Sequence, residues 1–114
     1  MIQIFHNPRC SKSRQGLQIL KESNIDFEIV KYLDTTLNTK ELKNIIDKLN
    51  ISPLELVRKG ESIWKENFKG KALTDAEIIQ AMCDYPKLIE RPIVIVNEKA
   101  VVGRPPNLIK ELIQ

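Results

Sequence analysis

Cys10 lies in the run His6-Asn7-Pro8-Arg9-Cys10-Ser11-Lys12-Ser13-Arg14, where a strand signal gives way to a helical one. Ile2, Ile4 and Phe5 are the apolar residues of the strand, Asn7 and Pro8 break it, and Gly16, Leu17 and Leu20 then share one helical face. A cysteine in the first turn of a helix faces unpaired backbone N–H groups and the positive end of the helix dipole. Both favour thiolate over thiol, and the thiolate is the nucleophile. Arg9, Lys12, Arg14 and His6 add nearby positive charge. The expected chemistry is therefore a reactive sulfur beside a place that can hold an anion. The plainer alternative is a small buried hydrophobe, the usual state of a free cysteine. Its polar neighbours Asn7, Arg9, Ser11, Lys12 and Ser13 weigh against that.

Ser13 occupies the position where a second thiol would complete a dithiol redox motif. Serine forms no disulfide, so any redox cycle at Cys10 must draw on an outside thiol or a distant one. Ser13 can instead support the thiolate by hydrogen bonding, or serve as an ordinary polar residue of the first turn. Cys83 is the one internal candidate for a resolving thiol. It follows Ala81 and Met82 near the end of an amphipathic helix, which favours a packing role. His6 either shares a proton with the thiol or caps the strand end.

Three arginines stand at the edges of predicted elements: Arg58 in Leu56-Val57-Arg58-Lys59, Arg91 before Pro92, and Arg104 between Gly103 and Pro105. A guanidinium fork bonds two oxygens of an oxyanion at once. Each alone reads equally as a surface charge, but Arg91 and Arg104 flank one predicted hairpin. The Arg91-Pro92 bond is either a cis bond that aims the backbone at Cys10 or a trans proline that opens a strand.

The elements that must hold these groups follow from patterning. A strand over 1–5, a helix over 10–23 ending near Asn24 and a strand over 27–32 form a strand–helix–strand unit with parallel strands. A helical block follows. One helix runs over 39–50 with Thr39 as cap and another begins at Ser52-Pro53. A third opens on the capping box Thr74-Asp75-Ala76-Glu77, and one short turn covers 86–90. Strands over 92–96 and 100–102 form a hairpin around Asn97-Glu98-Lys99, and a last helix spans 107–112. The fold class is α/β: a small mixed sheet in the order β-α-β … β-β-α. The 114 residues form one domain with an all-helical insertion at about 35–90 between the second and third strands.

Charged residues make up 29%, hydrophobic residues 42%, and the net charge is +3, a mildly basic globular composition. Aromatics are only 5% and not interleaved with a basic stripe, which argues against nucleic acid as a partner. No apolar run approaches the ~20 residues of a membrane span. Two cysteines and one histidine make a metal centre improbable. Few cysteines and no leader-like opening stretch point to the cytoplasm.

Taken together, His6 to Arg14, Leu56-Val57-Arg58-Lys59, Glu90-Arg91-Pro92-Ile93-Val94 and Val102-Gly103-Arg104-Pro105 resemble the glutaredoxin-coupled arsenate reductases over nearly the whole chain. The resemblance implies a thioredoxin-like fold. It makes Cys10 the catalytic cysteine with His6 beside it, and Arg58, Arg91 and Arg104 the oxyanion-binding arginines. Pro92 matches the cis-proline, and Asn7 and Ser13 are supporting residues. The chain is expected to be a monomer without a bound cofactor. By the resemblance, arsenate or a similar oxyanion is the substrate, glutathione the co-substrate and glutaredoxin the protein partner. Two other functions stay open on the same scaffold: a glutathione-dependent thiol reductase or deglutathionylase, and an RNA-polymerase-binding transcriptional regulator like those of the related sister group.

Overall fold

The computed structural model describes residues 2–34 and 37–114. Met1, the expected start of the first strand, and positions 35 and 36, at the expected start of the insertion, lie outside the described residues. The chain divides into two compact units, Met1–Thr35 with Arg91–Gln114, and Thr36–Glu90.

The first unit carries the sheet. Strand β1 (Ile2–Phe5) leads through the Cys10 loop into helix α1 (Ser11–Glu22), and β2 (Phe27–Val30) returns parallel to β1. Asn24, at φ 59°, makes the left-handed turn between them, a conformation asparagine tolerates better than most residues. The hairpin β3 (Ile93–Val96) and β4 (Lys99–Val102) completes a sheet of order β2-β1-β3-β4, with β1–β3 and β3–β4 antiparallel. Asn97, at φ 56°, supplies the positive φ of the two-residue turn. Helix α5 (Asn107–Ile113) packs on β4, β3 and α1. Ile2, Ile4, Leu20, Val94 and Ile109 form the core, with Leu17, Phe27, Val96 and Val101 packed against it. Ile4, Leu20, Val94 and Ile109 are fully buried. Each contributes about 1.5–3 kcal/mol of transfer free energy.

Register decides what meets at the end of this sheet. Phe5, the last residue of β1, pairs with Ile93, the first of β3. Ile93 in turn pairs with Val102, the last of β4. The chain leaving β1 toward Cys10, the chain entering β3 from Arg91, and the chain leaving β4 toward Arg104 therefore share one edge. Arg91–Pro92 is cis, and so is Arg104–Pro105, which patterning did not single out.

Two glycines let these pieces close. A Cβ on Gly16 of α1 would stand 2.8 Å from both Ile109 Cδ1 and Pro92 Cγ, and one on Gly103 would stand 2.7 Å from Ile109 Cδ1 and 3.0 Å from Pro92 Cγ. Pro92 and Ile109 are fully buried, and a proline ring cannot rotate away. Gly16→Ala therefore sets an overpacking cost of about 1–3 kcal/mol against the ~1 kcal/mol by which alanine outranks glycine inside a helix. The expected outcome is a net loss of stability in urea unfolding. A gain would mean that Ile109 and Pro92 yield.

The second unit is helical. Helix α2 (Thr39–Leu49) presents buried Leu42, Ile45 and Ile46, and packs on α4 (Asp75–Asp84), which presents Ile78, Ile79 and Met82. The cap of α2 is Asn38, not Thr39. Its side chain accepts the Glu41 N–H at 2.8 Å while Glu41 accepts the Asn38 N–H at 3.2 Å. Thr74 and Glu77 form the capping box expected for α4. Pro53–Leu56 is a 3-10 turn with Glu55 bonded back to the Ser52 N–H. A six-residue helix α3 (Ser62–Asn67) was not foreseen. It carries Trp64, stacked on Phe68 at 5.4 Å.

Candidate functional site

The Cys10 loop is built by its own backbone and two short polar side chains. Cys10 N–H donates to Asn7 O at 3.0 Å, which closes a turn over Pro8 and Arg9. The Arg9 N–H is accepted by Asn7 Oδ1 at 3.0 Å, and Arg14 Nη1 holds Pro8 O at 2.9 Å from the first turn of α1. Behind the loop, Ser13 is fully buried. Its Oγ accepts the Asn7 N–H at 2.9 Å and lies 2.6 Å from His6 Nδ1. The hydroxyl that patterning offered to the sulfur thus ties β1's end to the helix.

Cys10 itself is the residue preceding α1, in extended conformation (φ −96°, ψ 123°), and its thiol is free and partly exposed. No acidic residue stands in the first turn of α1 to offset the positive pole of the helix. Arg104 Nη2 donates to Cys10 Sγ at 3.5 Å, and Arg104 Nε donates to Arg91 O at 2.9 Å. Burial pushes the thiol's pKa up. The Ser13 N–H, the Arg91 guanidinium by hydrogen bond and charge, and the Lys12 N–H together outweigh it and hold Cys10 below the ordinary thiol value. The rate of Cys10 alkylation by iodoacetamide, followed against pH, should reach its plateau with a midpoint below that of free cysteine. A midpoint at or above it would refute the arrangement.

His6 is almost fully buried, and burial first of all, then the positive charges of Lys21, Lys31 and Arg14, lower its pKa against an opposing hydrogen bond at Ser13. At neutral pH it is therefore an uncharged positioning residue and not the local cation its sequence context suggested. In the unfolded chain His6 takes a proton near its ordinary value of 6.5, and in the fold only at lower pH. The stability it contributes is complete above that ordinary value and is lost as pH falls through the folded one.

Arg58 belongs to the helical unit. Its Nε lies 3.5 Å from Glu90 Oε1 and 4.0 Å from Glu61 Oε2, and its backbone N–H donates to Leu88 O at 2.7 Å. Its Nη1 is buried without a hydrogen-bond partner among the described residues. An orphaned donor of this kind costs about 1–3 kcal/mol until something accepts from it. Cys83 is free and buried in the same unit. Burial foremost, then Asp84 and Glu41, raise its pKa, which favours the inert thiol. Among the described residues no group of three His, Cys, Asp or Glu side chains is placed to hold a metal ion, and no helix is long and apolar enough to cross a membrane.

Patterning did not foresee the crowding at Gly16 and Gly103 or the clamp of Arg14 on Pro8. A glycine on the buried face of an otherwise good helix was the available signal for the first.

The unit-by-unit architecture and the sequence both have close counterparts. The ArsC family matches residues 5–112. An arsenate reductase of Neisseria meningitidis serogroup B is 46% identical over 106 residues, with 91% of each chain covered. The uncharacterized protein YfgD of Escherichia coli K12 is 45% identical over 114 residues, covering 98% of this chain and 96% of its own. The structure of an arsenate reductase from Vibrio cholerae superposes with a TM-score of 0.92 at 40% identity, covering 96% of this chain and 95% of that one.

Proposed function

The chain belongs to the ArsC family, and from that premise we propose that it reduces arsenate to arsenite on Cys10, with electrons from glutathione and glutaredoxin. The observation that carries the reading is the 3.5 Å contact between Arg104 Nη2 and the Cys10 sulfur, a thiol held below its ordinary pKa. A thiolate is a strong nucleophile at neutral pH. A guanidinium against it offsets the repulsion between two anions and is aimed where charge develops.

In this reading the Cys10 thiolate attacks the arsenic of arsenate, an S–As bond forms and an oxygen leaves as water. Arg91 and Arg104 hold the remaining oxygens. Arg58 is assigned the same task, on its orphaned Nη1 and the family motif around it. Glutathione thiol then condenses with the adduct: a second S–As bond forms and a second oxygen leaves as water. A glutaredoxin thiolate takes its sulfur as a mixed disulfide, which leaves two electrons on arsenic. Water replaces the Cys10 sulfur on arsenic, arsenite departs and Cys10 returns to thiolate. Two outside thiols become one disulfide, so the electrons balance without a second thiol at Ser13. Cys10, Arg91 and Arg104 all belong to one compact unit of one chain, and the proposed enzyme acts as a monomer. A glutathione-rich compartment, the cytoplasm, fits this supply of thiols.

The test is arsenate-dependent NADPH oxidation with glutathione, glutaredoxin and glutathione reductase, run beside thioredoxin with its reductase and beside a glutathionylated peptide. Turnover of arsenate with the glutaredoxin system alone supports the reading. Turnover only of the peptide makes the protein a deglutathionylase, and turnover of neither overturns the enzymatic reading in favour of a regulator.

A further inference from the structure

Arg14, Gln18 and Lys21 recur at i, i+4 and i+7 and so share one face of α1. With His6, Pro8 and Leu17 they line a cleft of about 260 Å³ that Cys10, Arg91 and Arg104 do not line. No carboxylate lines it either. The charged groups that act on His6 are Lys21 and Arg14 of α1 and Lys31 just beyond β2, all of them positive. Among the described residues none of the three is in an ion pair. Arg14 spends one nitrogen on Pro8 O. His6 is only 5% exposed, its Nδ1 is taken by Ser13, and its other ring nitrogen has no hydrogen-bond partner among the described residues.

We infer that this cleft is a second anion subsite, distinct from the contact between Cys10 and Arg104, that takes a small carboxylate or tetrahedral oxyanion between Arg14 and Lys21 with His6 as its third contact. Glu22 accepts from Gln18 at 3.1 Å but stands outside the lining, and cations around a recess that no carboxylate lines concentrate counter-ions there. A guanidinium and an ammonium two helical turns apart suit an anion that offers oxygens on two sides. The buried imidazole is the one group in the recess that can change charge to match. An anion seated beside it offsets the three cations, and His6 takes up one proton from solvent. The cleft stands on its own geometry and does not depend on arsenate being the substrate.

His6 is the only histidine in the chain, so its ring protons report its titration without overlap. The experiment follows those resonances by NMR from pH 5 to 8. Potassium chloride is replaced at constant ionic strength by sodium sulfate in one arm and by succinate in another. The expected result is a saturable rise of the His6 pKa by about 0.5–1 unit, the direction an opposite charge imposes. Lys21→Gln should lose most of the anion-induced rise and Lys21→Arg should keep it, while Arg104→Gln leaves it in place. A rise with sulfate alone assigns the subsite to inorganic oxyanions, and a rise with succinate assigns it to a carboxylate-bearing ligand. A His6 pKa that neither anion moves would overturn the inference. So would a rise that Arg104→Gln abolishes and Lys21→Gln spares, because the anion would then act from the Cys10 pocket. Amide spectra of each variant establish that it is folded.

Discussion

Cys10→Ser is expected to lose arsenate turnover by ~10⁴-fold or more, whereas Cys83→Ala keeps most of it. Serine at position 10 leaves the loop's backbone bonds to Asn7 and Arg14 in place, so the variant should fold. What it removes is the group that can be anionic at neutral pH. A hydroxyl stays protonated there, and the side chains that bond the sulfur, Arg91 and Arg104, are cations that cannot serve as its base. Cys83 differs in kind. It is buried, and its pKa is raised by burial and by Asp84 and Glu41. The measurement is steady-state turnover in the glutaredoxin-coupled assay, with unfolding curves for both variants. Equal loss in the two would make Cys83 a resolving thiol and end the scheme in which both reducing thiols come from outside.

Arg104→Lys should lower kcat/KM for arsenate by roughly 10²–10³-fold, the range for removing one donor that faces developing oxyanion charge. Charge is conserved in this variant, so the loss reports geometry. Arg104 uses Nε on the Arg91 carbonyl and Nη2 on the sulfur at once, at 2.9 and 3.5 Å. An ammonium is a point donor on a flexible stem and cannot span both with a fixed fork. Tethering to Arg91 O also couples the two arginines, so a double variant with Arg91→Lys should cost less than the sum of the single losses. The alkylation midpoint of Cys10 should rise in Arg91→Gln toward that of free cysteine, because the Arg91 hydrogen bond and charge hold the thiol's pKa down. Unchanged kcat/KM in Arg104→Lys would remove Arg104 from the site.

Much of this was legible in the chain, and the reasons differ by element. Three of the strands announce themselves by short apolar runs beside Asn, Gly or Pro, β2 by an apolar run between polar residues, and α4 by the pair Thr74 and Glu77. The cap of α2 went to the wrong neighbour because Asn38 and Thr39 are both capping types. The deciding residue is the glutamate three places on, which serves Asn38 and not Thr39. Helix α3 was missed because six residues show no full period and its first residue lacks a side-chain cap. At the site, the types and flanking positions of Cys10, Arg91 and Arg104 were readable. Their meeting was not, because it depends on β1 pairing with β3, a contact between residues some ninety positions apart. The charge of His6 was misjudged for a similar reason. Its protonation is set by burial and by Lys21 and Lys31, which no local window contains.

The place of Ser13 has an evolutionary side. Mutating it to cysteine would put a second thiol three residues after the first, in principle a route to an enzyme that recycles its own disulfide. The same change deletes an oxygen packed without solvent between His6 and the Asn7 amide. Sulfur is larger and a poorer acceptor, so the newcomer would unseat the segment that presents its partner. The architecture thus favours an oxygen at position 13, and a second thiol there calls for rebuilding several positions together.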